Sequence, residues 1–486
     1  MGSRRLTRRA ILAGGASAIS GLAAAWGAAA PPARISSKSR DVIIRDIAFD
    51  FEDFRYRSPY AFGGESVERT TLLNVHITVE AAKGRLAKGF GSMPLGNVWA
   101  YPSRTLAYGQ TMGAMKALAT RIARITHQYT EQGHPIAINR ELEKEYIKTA
   151  AELSQEPGID QPIPKLAVLV TASAFDAAIH DAYGKAHNCS TYRAYGPEYL
   201  RRDLSQFLGS DFKGENLDRY ILKDPKPRLV VSHSVGSADA MTEADLQSRL
   251  NDGLPETLPG WIALNGIHHF DLKLHGTDVN KDIDRILQVD RVVAEAQQKR
   301  GVQSWQFGLD FSGRCASEDY LLEILGKLKE TAPAAFERIQ YVEQPTPRDL
   351  AAHRSNTLHR AAKLRPMVAD ESVTDLESLL LAREMGYTGV ALRACKGQSH
   401  TILMAAAAQK FGMFLCVQDL TCPGASLIHS ASIAARIPGA DTIEANARQY
   451  IPAANKAWAS KFPGIFAIKD GTMDTSSLTT PGLGAV

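Results

Sequence analysis

Eight short apolar runs, separated by helix-like stretches, fill the second half of this 486-residue chain. They are LVVSHS (229–234), FDLKL (270–274), WQFGLD (305–310), IQYVE (339–343), PMVAD (366–370), GVALR (389–393), MFLCVQ (413–418) and DTIEA (441–445). Strands that alternate with helices pair in parallel, because each helix carries the chain back to the start of the sheet. The polar residues that end successive runs are Lys273, Asp310, Glu343, Asp370, Arg393 and Asp419, at gaps of 37, 33, 27, 23 and 26 residues. A (β/α)8 barrel of roughly 250 residues repeats about every 31, so this period predicts an α/β fold of the (β/α)8 type. In such a barrel the carboxyl ends of the strands gather on one face, where active sites lie.

That geometry gives the acids a common destination. Asp310, Glu343 and Asp370 end three consecutive runs and are expected in one pocket. Clustered carboxylates raise one another's pKa unless a cation joins them. A set of oxygen ligands with no Cys or His nearby suits a hard ion, Mg²⁺ before Mn²⁺. Taken singly, each acid reads better as a helix cap or as the partner of an arginine; it is the three at barrel period that point to a shared cation. In LRPMVADES (365–373), Asp370 is followed at once by Glu371, and two acids closing an apolar strand call for positive partners.

The first half reads differently. VIIRDIAFDFEDF (42–54) and TLLNVHITVEAAKGRLAKGF (71–90) alternate as antiparallel strands do, with SPYAFGGES (58–66) as a loop between them. Helical patterns follow in TLAYGQTMGAMKALATRIARITHQY (105–129), RELEKEYIKTAAELSQ (140–155) and LAVLVTASAFDAAIHDAYGKAHN (166–188). This α+β portion ends in the Pro/Lys-rich link KDPKPR (223–228).

The net charge of +4 comes from Arg4, Arg5, Arg8 and Arg9, since residues 1–30 hold no acid and the remainder balances 52 basic against 52 acidic residues. A neutral body gives no electrostatic reason to expect nucleic acid or an anionic membrane as partner. TRRAILAGG (7–15) places a twin arginine before a short run rich in Gly and Ala. Residues 1–30 therefore read as a twin-arginine signal peptide, and the mature protein as periplasmic or secreted with no stable membrane insertion. The five cysteines, Cys189, Cys315, Cys395, Cys416 and Cys422, form no CxxC pair, which argues against a zinc cluster or a disulfide framework. They read as buried thiols, with an isolated disulfide left open.

FDLKLHG, GLDFSG, YVEQP, MVADES and the KGQ after GVALRAC resemble, in order, the barrel motifs of the enolase superfamily, in its mandelate racemase and muconate lactonizing branch. AIHDAYGK (178–185) resembles that branch's A-x-x-D-x-x-G-K helix, and KDGTMDTSSLTTPGLG (469–484) its closing segment. The resemblance implies an α+β N-terminal capping domain at 31–225, a barrel with a metal site at 226–454, and a tail, 455–486, that returns to the cap. It implies Mg²⁺ on Asp310, Glu343 and Asp370. It also implies a small-molecule carboxylate substrate, whose α-proton is abstracted through a metal-stabilised enediolate. Assembly into a homo-oligomer is compatible with this reading.

Three positions carry the expected chemistry, and two depart from the branch's pattern. Lys273 stands at the second lysine of K-x-K and is the expected base, but Asp271 replaces the first lysine and should raise the pKa of its neighbour. His275 is the substitute candidate. Arg393 stands where the branch has a second lysine or an Asp, and an arginine stays protonated, so it can bind a carboxylate but cannot take a proton. Asp419 reads as a proton donor, a ligand for a substrate hydroxyl, or a structural residue. His429 falls on the next helix and reads as packing. Tyr60, Phe62 and Trp99 suggest a partly apolar lid. One base and one permanent cation favour one-face chemistry, such as a dehydratase or lyase acting on a hydroxy or sugar acid. A racemase, epimerase or cycloisomerase is the alternative, and a barrel that binds metal and ligand without catalysis is the second.

Overall fold

The computed structural model describes residues 39–484; the expected signal peptide lies outside them. The chain begins with a three-stranded antiparallel sheet of β1 (Ile43–Phe62), β2 (Glu65–Ala81) and β3 (Arg85–Pro94). The 58–66 stretch is not a loop. β1 runs to Phe62, β2 starts at Glu65, and Phe62 pairs with Glu65 across Gly63 and Gly64. Both glycines take positive φ, 54° and 79°, as a two-residue hairpin turn between right-twisted strands requires.

Three helices follow, α1 (Tyr108–Gln128), α2 (Pro135–Leu153) and α3 (Lys165–Ala186); α1 and α3 pack on the sheet, and α2 packs against both of them. α1 and α2 bury one face each, whereas α3 is buried almost all round. Small residues let α3 lie directly on β3. A Cβ at Gly91 would come within 2.0 Å of the Ala174 carbonyl oxygen, and one at Gly89 within 2.2 Å of that of Ala178. Any side chain there would push helix and sheet apart.

All eight apolar runs are strands, from β4 (Arg228–Val235) through β5 (His269–Lys273), β6 (Gln306–Asp310), β7 (Ile339–Glu343), β8 (Met367–Ala369), β9 (Gly389–Leu392) and β10 (Phe414–Gln418) to β11 (Thr442–Glu444). Each pairs in parallel with its neighbours, and β11 closes the ring on β4 through Thr442–Val230, Ile443–Val231 and Glu444–Ser232. The helices between them include α4 (Leu258–Asn265) and α5 (Val279–Arg300), which is capped by the Asp278 carboxylate and ended by Gly301 at φ 70°. No helix among the described residues is long and apolar enough to cross a membrane.

The tail serves both halves. β12 (Thr472–Asp474) adds antiparallel to the start of β4, and the chain then reaches α3, where the Leu483 N–H donates to Asp181 Oδ1 at 2.9 Å. Asp181 also accepts from the Phe90 N–H at 3.0 Å and pairs with Lys185 at 2.7 Å. This one buried carboxylate therefore ties helix, sheet and tail together. Asp181→Ala leaves the buried Leu483 N–H and the half-buried Phe90 N–H unpaired and should cost about 3 kcal/mol, read as a lowered denaturant midpoint.

Candidate active site

The carboxyl ends of β5 to β11 meet beneath the β1–β2 hairpin. The hairpin is fixed over the barrel mouth by the Ser237 N–H donating to the Ala61 carbonyl at 2.9 Å and by Arg314 donating to that of Gly63 at 2.8 Å. Between them is a cavity of about 50 Å³, room for a few waters. Tyr60, Phe62 and Trp99 line it from above, and Lys273, Asp310, Arg393, Asp419 and Glu444 from below.

Of the three predicted acids, Asp310 and Glu343 converge, and the third carboxylate beside them is Asp271 rather than Asp370. Asp271, Asp310 and Glu343 each place one carboxylate oxygen within 4.8 Å of the others. Asp370 stands beside this group and is heavily occupied. Arg393 Nε donates to both of its oxygens at 2.8 Å, Arg393 Nη2 lies 2.6 Å away, and Lys396 Nζ 3.2 Å away. Arg393 Nη2 also reaches Glu343 at 3.2 Å and Gln418 at 2.5 Å. Glu371 turns away to Arg348 at 2.9 Å. These are the positive partners that the two adjacent acids call for.

Lys273 is clamped on the other side. Its ammonium touches Asp271, lies 2.8 Å from Asp310 and 3.4 Å from Glu444. Burial alone would lower its pKa, but Asp271, Asp310 and Glu444 hold it well above the ordinary lysine value. The acids respond in opposite directions. Burial and the neighbouring Glu444 and Asp310 push Asp271 up to about 7, against the pull of Lys273. Burial, Asp310 and Asp271 raise Glu343. Burial also works against ionised Asp370, but Arg393 and Lys396 outweigh it and hold that carboxyl below the usual range.

The other candidates fall into place around this core. Asp419 faces the cavity, but its carboxylate caps its own loop by accepting from the Thr421 and Cys422 N–H groups at 2.9 and 3.2 Å. Burial and Glu444 raise its pKa. His275 is exposed and is absent from the cavity lining. His429 is buried on its helix beside Gln398 at 2.9 Å. Two participants were not singled out from sequence: Asp271 as a member of the acid cluster, and Glu444 at the end of the eighth run. Glu444 continues the same series of strand-end polar residues, so that series was the signal for it.

The cluster fits a hard divalent ion. Its donors are all carboxylate oxygens, and among the described residues neither oxygen of Asp271 has a hydrogen-bond partner apart from its ion pair with Lys273. With all of them ionised, Asp271, Asp310, Glu343, Asp370 and Glu444 outnumber Lys273, Arg393 and Lys396, an excess of negative charge that a divalent ion would offset.

Fold and site together define a capped (β/α)8 barrel with a polar, carboxylate-rich centre at its strand ends. Residues 256–486 match the family model described as Enolase C-terminal domain-like. No curated protein matches the chain. Among solved structures it is similar to the dipeptide epimerase from Enterococcus faecalis V583 complexed with Mg and L-Leu-L-Tyr, at TM-score 0.60 and 15% identity, over 91% of this chain and 99% of that one. It is also similar to the L-Ala-D/L-Glu epimerase from Bacillus subtilis (0.59, 16%, 91% and 98%). A third is the muconate lactonizing enzyme from Pseudomonas fluorescens complexed with muconolactone (0.57, 17%, 91% and 96%). At these identities the likeness establishes the fold.

Proposed function

We propose that this protein is a divalent-metal-dependent enzyme that removes the proton α to a carboxylate of a small-molecule substrate, with β-elimination from a hydroxy or sugar acid as the reaction its site suits best. One observation carries the reading. An all-carboxylate cluster, Asp271, Asp310 and Glu343, lies between one lysine and one arginine, and only the lysine can ever give up its proton. The presence of Mg in the similar dipeptide epimerase structure supports the metal. Asp310 and Glu343 would hold the ion, with Asp271 from the cluster or Asp370 as third ligand. A bound divalent ion supplies positive charge where the substrate's carboxylate gains electron density.

The rest is the chain's own work. Lys273 is held protonated by three carboxylates; once their pull is shared with other positive charge, its Nζ releases that proton to water and, as the neutral amine, takes the α-proton. Its Nζ then returns the proton to the departing hydroxyl, which leaves as water, so one group serves both halves of the elimination. Arg393 keeps its charge throughout and faces the developing negative charge from the Asp370 side. Tyr60, Phe62 and Trp99 exclude water.

A panel of hydroxy and sugar acids incubated in deuterated buffer should show α-proton exchange or water loss that EDTA abolishes and Mg²⁺ restores. Exchange indifferent to EDTA would defeat the metal-dependent reading, and inversion at the α-carbon would replace elimination with epimerisation. The clamp on Lys273 favours a second reading, a barrel that binds its ligand without turnover. In that case a carboxylate raises the melting temperature and no member of the panel exchanges.

Export belongs to the same proposal. Replacing Arg8 and Arg9 by Lys should leave the full-length precursor inside the cell, as seen by fractionation and immunoblot. Unchanged export would rule out the twin-arginine route.

A further inference from the structure

The catalytic cavity, at about 50 Å³, has room for a carboxylate and its α-carbon but not for the rest of a sugar acid. A groove of about 250 Å³ lies beside it, at the tip of the β1–β2 hairpin. Phe62, Val98 and Ser312 line both spaces, so a single layer of side chains separates them. The Ser312 N–H and hydroxyl also donate to Asp310, at 2.6 and 3.1 Å, so this partition begins at the acid cluster itself.

Three arginines line the groove, each brought by a different loop: Arg104 before α1, Arg314 after β6 and Arg348 after β7. Arg314 donates to the His275 and Gly63 carbonyls at 2.9 and 2.8 Å. Both acceptors are neutral, so the guanidinium is held in place while its charge stays unspent. It rests against the hairpin turn, where a Cβ at Gly64 would stand 2.2 Å from Nη1 and displace it. Arg104 is exposed, and among the described residues its side chain has no ion-pair or hydrogen-bond partner. Arg348 already holds Glu371 at 2.9 Å and donates to the Trp99 carbonyl. Glu65 is the one acid in the lining, and it pairs with none of the three. With Glu65 and Glu371 set against the arginines, the surplus is one positive charge. That matches a carboxylate, whose two oxygens fit the paired N–H groups of a guanidinium, better than a doubly charged phosphate ester.

We propose that this groove binds a second carboxylate at the far end of the substrate, so that the protein selects diacids over monoacids of the same length. The reacting carboxylate lies in the catalytic cavity, the chain passes Phe62 and Ser312, and the far carboxylate meets Arg104 and Arg314. This inference deepens the proposed function and rests on its carboxylate-binding centre.

The probes are 2-hydroxyadipate and 2-hydroxyhexanoate, which differ only in the far carboxylate. Neither carries a β-hydroxyl to lose, so binding is read without elimination. In titration calorimetry with Mg²⁺ present, the diacid should bind roughly tenfold more tightly than the monoacid. Arg104→Ala should cut that preference to roughly threefold, and Arg104→Ala combined with Arg314→Ala should erase it. If the double variant fails to fold, because Arg314 also fastens the hairpin, Arg104→Ala decides. A crystal structure with 2-hydroxyadipate should place its far carboxylate within about 2.7–2.9 Å of the Arg104 and Arg314 guanidinium groups. Equal affinity for the two acids overturns the groove and leaves the carboxylate-binding centre standing, whereas binding of neither overturns both. A preference that survives Arg104→Ala but is lost in Arg69→Ala overturns it too, since Arg69 lines the catalytic cavity and not the groove.

Discussion

Arg393→Ala should lower kcat/KM for the exchange reaction by roughly 10²–10³, the usual cost of removing one preorganised charge-stabilising donor. It should also destabilise the protein by about 3–5 kcal/mol, because it leaves buried carboxylates without their partner. The guanidinium is 5% exposed and binds Asp370, Glu343 and Gln418 at once, and Trp99 covers it with its ring centre 5.0 Å away. Arg393→Lys separates the two effects. A lysine restores the charge but not the fork, so it should recover part of the stability. If its amine can lose a proton, the variant should exchange from both faces and epimerise a substrate that the parent handles on one. Full activity in Arg393→Ala, with only the melting temperature lowered, would make Arg393 a strut at the barrel rim.

Lys273→Met should abolish α-proton exchange, by a factor of about 10²–10⁴ for loss of a general base, and should destabilise the fold in a pH-dependent way. Asp271, Asp310 and Glu444 would lose the ammonium they share. Already in the parent, burial holds Asp271 near 7, well above its value in an unfolded chain. A carboxyl raised by folding favours the folded state when protonated, so its stabilising share is present at low pH and is lost as pH rises through the folded value. Without Lys273 that value climbs further. The stability gap between variant and parent should therefore be small near pH 4 and widest at and above neutrality, measured by denaturant melts across pH. A gap independent of pH would mean that the carboxylates do not depend on Lys273. Parent-like exchange in Lys273→Met would move the base elsewhere, first to Asp419, since His275 is exposed.

The 58–66 segment shows where local reading fell short. Its aromatic and glycine content read as a loop, yet Gly63-Gly64 is a hairpin turn that lets β1 and β2 run on and carries Tyr60 and Phe62 over the barrel mouth. The metal cluster shows the same limit at the level of side chains. Asp310 and Glu343 are where the barrel period puts them, but Asp271 joins them and Asp370 is held by Arg393 and Lys396.

By itself the sequence determined the barrel, its eight strands and the face on which their polar ends meet. Those follow from the alternation of apolar runs with helices and from a repeat that only ring closure satisfies. It also marked Lys273 and Arg393 as the cations among the acids. What the tertiary structure alone decided is which acid each cation holds and the entry of Glu444 from the eighth strand. Those depend on distances of a few ångströms between residues as far as 171 positions apart, as Lys273 and Glu444 are. Ion pairing falls off over such distances and side-chain direction is fixed only by packing, so no one-dimensional pattern encodes them.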